Sequence, residues 1–351
     1  MMEKPFGIIE GFFGPSWSWE FRQHLAKKIS SAGGNFYFYA PKNDPYLRKS
    51  WQIDFPTDHF NHLKKTRAAF KASGVQFGIG LSPFELHHDF SKSGKELLLK
   101  KLLKIDELGP DYLGLFLDDM KPAADLAKVQ IEMAHFIKEH ISCKLSFCPS
   151  YYSFDPILEK VFGKCPDNYL EELGANLDSD IDILWTGEKV TSKSITSQHL
   201  GVVEKIIRRK PFIWDNLFAN DGPRQCKFLK VLPFNNRKTD AFEYSSGWGI
   251  NPMNQGHLSA LVFESAAGTL LNSIDPTISL NSSIEKNCPK DLASLIKKSL
   301  GSFNDLGLEG LEQKEKEVLR NKFSQFDHPV ALEISSWLKG EFDVDGDCLT
   351  D

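Results

Sequence analysis

Residues 112–120 read YLGLFLDDM, a short apolar run that ends in two adjacent carboxylates. The run is too short to span a membrane and is apolar on both faces, the pattern of a strand in a parallel sheet covered by helices. Further runs of this kind recur along the chain. Strands are predicted at Phe6–Gly11, Asn35–Ala40, Gln76–Ser82, Tyr112–Asp118, Lys144–Pro149, Ile181–Thr186, Pro211–Asp215 and near Gly247–Asn251. Amphipathic stretches separate them, with helices predicted at Trp19–Ser31, Asp58–Ala72, Lys95–Leu108, Pro122–Glu139, Pro156–Leu173 (broken), Thr196–Arg209, around Gln225–Leu232 and at His257–Leu271. Eight βα units predict a (β/α)8 barrel of the TIM type over residues 1–275.

Polar and glycine-bearing segments follow the strands: EGFFG, YAPKND, SPF, LDDM, CPSYY, WTG, WDN and INP. A (β/α)8 barrel builds its active site from the loops at the carboxyl ends of its strands, so these distant segments should converge. Residues 276–351 have a different character. Helical runs at Asp291–Leu300 and Gly310–Phe323 precede EFDVDGDCLTD, an acidic tail without apolar periodicity that is expected to fray. Its DVDGD faintly matches a calcium loop but lacks the downstream glutamate and following helix. The tail helices leave three uses open: packing on the barrel, completing a neighbouring subunit's cleft, or forming a homodimer.

Composition narrows the partners. The 351 residues carry a formal charge of −5, with no basic face to recruit nucleic acid or an anionic membrane. MMEKP runs directly into FGIIEG without a signal-peptide pattern, and no segment has the roughly 20 apolar residues of a membrane span. A soluble, cytoplasmic protein is expected. The six cysteines lack paired short spacings, which fits reduced thiols better than a disulfide frame or a zinc site. No metal and no cofactor are expected.

Asp118 and Asp119 should stand at the barrel rim. The bland alternative is that Asp119 caps the helix near Pro122. Neighbouring carboxylates repel, so one holds its proton to higher pH beside a charged partner. In a retaining glycosidase the usual carboxyl pair is roughly 5–5.5 Å apart across the scissile bond, and consecutive residues on one strand do not easily straddle a sugar. A 2-acetamido group on the substrate can instead supply the nucleophilic oxygen. WDNLFAND (Trp214–Asp221) offers an apolar wall with Asn and Asp groups for sugar hydroxyls, or else a polar turn with a core tryptophan. Lys42 follows the aromatic run Phe36–Tyr39 and reads as a rim lysine or a surface turn residue, while Tyr152 and Asn251 are further rim polar groups.

Together IIEGFFG, YFYAPKNDPYLR, LFLDDM, FCPSYY, LWTGEKVTSKSIT and FIWDNLFAND, in this order over roughly residues 6–270, resemble glycoside hydrolase family 84, the O-GlcNAcase-type β-N-acetylglucosaminidases. The resemblance implies a barrel enzyme, a glycosidase that hydrolyses terminal β-linked GlcNAc with retention through substrate-assisted catalysis and an oxazoline. It implies that Asp118 orients and polarises the acetamido group and that Asp119 is the general acid/base. Tyr152 would sit near the forming oxazoline, Trp214 would line the acetyl pocket, and Gly11, Lys42, Asn216, Asp221 and Asn251 would bind hydroxyls and the amide region. The implied partner is a glycoprotein, glycopeptide or glycan bearing β-GlcNAc. The chain departs from the family pattern at Phe13, Asn43 and Gly222. A non-catalytic GlcNAc-binding barrel and a metal-dependent barrel hydrolase are the competing readings. A pure binder needs no proton donor, and no histidine cluster lies near a predicted strand end.

Overall fold

The computed structural model describes residues 4–122, 125–344, 346 and 348–350. The apolar runs form parallel strands β1 (Phe6–Glu10), β2 (Phe36–Tyr39), β3 (Gln76–Leu81), β4 (Tyr112–Phe116), β5 (Lys144–Cys148), β6 (Asp182–Trp185), β7 (Phe212–Asp215) and β8 (Gly247–Ile250). They pair in chain order and β8 returns to β1, closing the expected (β/α)8 barrel. Helices α1 (Trp19–Ser31), α2 (Thr57–Ala72), α3 (Lys92–Leu108), α4 (Leu126–Glu139), α5 (Pro156–Phe162), α6 (Tyr169–Asn176), α7 (Ser197–Ile207), α8 (Thr239–Tyr244) and α9 (Gly256–Asn272) lie between or after the strands. The chain then continues through α10 (Pro276–Asn287), α11 (Lys290–Gly301), α12 (Gly307–Gly310), α13 (Gln313–Phe323) and α14 (Pro329–Leu338).

The two-residue period of a strand sorts the FYFY run of β2 between two environments. Phe36 and Phe38 turn into the barrel, where their rings meet Phe212 at 5.4 Å and Phe116 at 5.5 Å. Tyr37 turns outward and stacks on Phe70 of α2 at 4.3 Å. Room for the interior rings comes from neighbouring glycines: a Cβ on Gly78 would lie 2.4 Å from the Phe38 ring, and one on Gly114 2.4 Å from Phe116. Small and large residues thus fill the interior as a packed core.

On the outer face of β1, Glu10 and Arg22 of α1 form a fully buried ion pair, with Arg22 Nη2 and Nε donating to the two carboxylate oxygens at 2.6 and 2.9 Å. Tyr37 Oη also donates to Glu10, and the guanidinium lies over the Trp19 and Tyr39 rings. The pair locks α1 against the start of the sheet.

Several helix bounds differ from the sequence expectation. The helix expected from Pro122 begins at Leu126, after Asp125 in a left-handed conformation; residues 123 and 124 of that expectation lie outside the described residues. Around Gln225–Leu232 only a single 3-10 turn, Gln225–Lys227, forms. The short α8, and α10 and α14, are not among the helices expected from the sequence. Asp275–Pro276 and His328–Pro329 nevertheless carry start signals for the latter two: Asp275 caps Thr277 and Ile278, and His328 caps Val330.

The tail helices pack on the barrel. Ser279 and Ser283 of α10 donate to the Ser265 and Leu261 carbonyls of α9. Glu333 of α14 accepts the first N–H groups of α9, from His257 and Leu258. Among the described residues no helix is long and apolar enough to cross a membrane.

Replacing Arg22 with methionine leaves Glu10 buried without its cation. The expected loss is about 3–5 kcal/mol of stability, read from urea denaturation at neutral pH; a loss under about 1 kcal/mol would show the pair to be dispensable.

Candidate active site

Strand register converts distant sequence into neighbours. Glu10 pairs with Tyr39, which brings Gly11 beside Lys42; Phe116 pairs with Cys148, which brings Asp118 and Asp119 beside Tyr152; Asp215 pairs with Ile250, which brings Asn216 beside Asn251. The nine residues singled out in the sequence all line one cavity of about 240 Å³ at the carboxyl ends of the strands.

After β4, Leu117 N–H still donates to Cys148 O at 3.0 Å, and Asp119 then adopts a left-handed φ of +56°. An extended backbone would send adjacent side chains to opposite faces; this turn lets Asp118 and Asp119 line the same cavity. Such a conformation is strained for a residue with a Cβ. Because α4 starts at Leu126, Asp119 is not its cap.

Asp118 is buried and paired through Oδ2 with the ammonium of Lys42, itself buried. Its Oδ1 is buried and has no hydrogen-bond partner among the described residues. Asp119 faces the cavity, where Tyr152 Oη donates to its Oδ1 at 2.9 Å. Burial pushes its carboxyl above the usual range, with the Asp118 charge adding to this; Lys42, Arg48 and the Tyr152 hydrogen bond oppose it. One carboxylate is therefore held against a cation while its neighbour is biased toward keeping a proton.

Trp214 forms an apolar wall between Phe116, 5.1 Å away by ring centroid, and Gly11. A Cβ on Gly11 would lie 2.2 Å from Trp214 Cζ2, so the indole position depends on a glycine there. Asn251 Nδ2 donates to Asn216 Oδ1 at 2.9 Å, and Asn216 Nδ2 to Val190 O at 2.8 Å. The segment is held from below by Asp215, buried against Arg237 through two hydrogen bonds of 2.9 and 3.0 Å. Asp221 accepts the Phe13 N–H at 3.0 Å, and burial pushes its carboxyl up to about 6.

The cavity also takes in side chains the sequence reading did not single out, notably Cys148, Thr186, the Asp155–Lys189 ion pair, and Cys348 and Thr350 of the tail. Cys148 and Thr186 sit inside the recognisable CPSYY and WTG segments, where their register could have been counted. The tail offered no such signal. It returns over the loop after β1, where a Cβ on Gly14 would meet Val344, and Asp343 pairs with Lys227 at 2.7 Å. Of the positions that depart from the family pattern, Phe13 and Gly222 line the cavity, and Asn43 Nδ2 ties its loop to Gly14 O at 2.7 Å. No group of three His, Cys, Asp or Glu able to hold a metal ion occurs among the described residues.

Comparison with known proteins bears directly on this arrangement. A family model described as beta-N-acetylglucosaminidase matches residues 6–301. Protein O-GlcNAcase from Rattus norvegicus and from Mus musculus are each 31% identical over 258 residues, covering 70% of this chain and 28% of theirs. The chain thus spans less than a third of the length of these curated relatives. A solved structure of a mutant Thermobaculum terrenum O-GlcNAc hydrolase superposes with a TM-score of 0.79 at 25% identity, covering 95% of this chain and 80% of that one.

The raised carboxyl of Asp221 sets a pH dependence. Between about pH 4 and 6 the native residue keeps a proton that the unfolded chain loses, so its contribution to stability falls as pH rises. Asp221→Asn should remove that contribution and flatten the pH slope of the denaturation midpoint over this window; an unchanged slope would refute the assignment.

Proposed function

The chain belongs to the β-N-acetylglucosaminidase family, and from that premise we propose that it is a glycoside hydrolase that removes terminal β-linked GlcNAc with retention, by substrate-assisted catalysis through an oxazoline. The observation that carries this reading is the Oδ1 of Asp118, unpaired among the described residues, beside Asp119, whose carboxyl is pushed up by burial. A buried acceptor without a partner is costly, and a substrate amide N–H would satisfy it.

In the first step the acetamido carbonyl oxygen attacks C1 while the bond from C1 to the leaving oxygen breaks. Asp118, paired with Lys42, accepts the amide N–H and draws electron density toward that carbonyl. Asp119 delivers its proton to the departing oxygen. In the second step Asp119, now a carboxylate, takes a proton from water as the water attacks C1 and reopens the ring, so two inversions give net retention. Tyr152 steadies Asp119 and lies beside the forming ring, and Trp214 walls the acetyl methyl. Gly11, Lys42, Asn216, Asp221 and Asn251 are assigned to the sugar hydroxyls and the amide region. No step requires a metal or an organic cofactor.

We assign residues 1–275 to the catalytic barrel and residues 276–351 to a helical extension. The substrate is a protein or peptide carrying GlcNAc, a choice supported by the name of the rat and mouse relatives, Protein O-GlcNAcase. Six free cysteines support a reducing compartment such as the cytoplasm.

An aryl β-N-acetylglucosaminide should be hydrolysed while the matching β-glucoside is not, in the presence or absence of chelator; folded protein that cleaves neither would point to a sugar-binding barrel, and chelator-sensitive cleavage to a metal hydrolase. Asp119→Asn should lower kcat/KM by about 10²–10⁴ on substrates with poor leaving groups and by less on activated aryl glycosides, which need less protonation. In the wild type the alkaline limb of kcat/KM should follow loss of the Asp119 proton, and the substitution should abolish that limb.

A further inference from the structure

A second cavity, of about 330 Å³, opens beside the first and shares Asp119 and Phe13 with it. Its walls carry Arg48, Lys49, Lys121, His87 and His88; among the described residues the acidic groups lining it are Glu85, whose side chain is exposed, and Asp119 itself. Arg48 is 5% exposed, and its Nε and Nη1 are buried without a hydrogen-bond partner among the described residues. The guanidinium lies over the Phe13 and Phe84 rings instead. The nearby Asp44 is committed elsewhere: it accepts hydrogen bonds from Tyr39 Oη and the Tyr46 N–H, and its Oδ2 lies 3.0 Å from His59 Nε2. This contrasts with Arg22 and Arg237, buried arginines that each grip a carboxylate with two donors. A buried arginine normally finds such a partner, because its desolvated charge is otherwise poorly compensated. His87 in the same wall is similarly half-satisfied, with Nε2 on Lys121 O at 2.6 Å and Nδ1 buried and without a partner among the described residues.

We propose that this cavity receives the part of the substrate beyond the scissile bond, and that Arg48 selects peptides with a carboxylate side chain next to the glycosylated serine or threonine. The inference rests on the hydrolase reading above. If Asp119 protonates the leaving oxygen, the aglycone must lie on the Asp119 side of the sugar, and the cavity that meets Asp119 there is this one. A carboxylate entering it supplies the planar acceptor that a guanidinium fork matches. His87 Nδ1 stands ready for an N–H or hydroxyl of the same peptide when its Nε2 donates to Lys121 O.

The test compares two synthetic peptides with GlcNAc on one serine, identical except for glutamate or glutamine at the following position, alongside a neutral aryl β-N-acetylglucosaminide. The full chain should show a kcat/KM about tenfold higher for the glutamate peptide, the scale on which a charge-assisted hydrogen bond exceeds a neutral one. Arg48→Gln should erase that ratio, and Arg48→Lys should retain part of it. Equal rates on both peptides in the wild type, or a ratio unchanged in Arg48→Gln, would overturn the proposal. The wild-type comparison stands even if a variant fails to fold. Loss of cleavage on all three substrates would instead sink the hydrolase reading on which it rests.

Discussion

Backbone hydrogen bonding in a closed parallel sheet leaves the chain little freedom about where its polar loops end up. Each strand pairs in register with the next, and β8 returns to β1, so the carboxyl ends of all eight strands meet at one rim. The apolar interior beneath that rim is a continuous run of edge-to-face aromatic contacts from Phe36 through Phe38 and Phe116 to Trp214. The floor of the site is thus the top of the core. What the site residues contribute chemically depends on this rigid, water-poor support, since electrostatic effects are strongest where solvent cannot rearrange around them.

Within that environment the site manages an excess of negative charge by two means. Asp118 is paired with the Lys42 ammonium, whereas Asp119 and Asp221 are shifted toward their protonated forms by burial and by neighbouring carboxylates. The arrangement puts two adjacent, chemically identical side chains in different surroundings, one against a cation and the other with its carboxyl pushed up by burial. The left-handed turn at Asp119 is the local cost of placing both in the same cavity.

Buried arginines serve the fold and the site in different ways. Arg22 fastens α1 to β1 through Glu10, and Arg237 supports the Trp214–Asn216 segment through Asp215 while also donating to the Ser192 and Lys193 carbonyls. Both have their charges matched within the fold. Arg48 is buried to a similar extent, yet among the described residues no carboxylate accepts a hydrogen bond from it, and it is the one of the three that lines a cavity reaching Asp119. Satisfied charges hold the scaffold in place; the unsatisfied one borders the space a substrate would enter.

Strand positions, the barrel and the convergence of nine rim residues were legible in the sequence, because strand burial and βα alternation are local patterns that a parallel sheet imposes directly. Helices rich in serine and lysine, such as α10, were less visible, since their burial against α9 comes from partners far along the chain. The family resemblance already implied different roles for Asp118 and Asp119; the sequence did not show the surroundings that set them apart, Lys42 against one and Tyr152 against the other. Neither the path of the acidic tail to the cavity, where Cys348 and Thr350 stand, nor the isolation of Arg48 left any mark on local sequence. The sequence by itself determined which segments are strands and which polar segments follow them, through periodicity and strand order, while the resemblance to a family singled out the individual site residues within those segments. Only the tertiary structure decided which charges are neutralised and which are left facing a cavity, because that depends on distances between residues that the chain brings together only when the barrel closes.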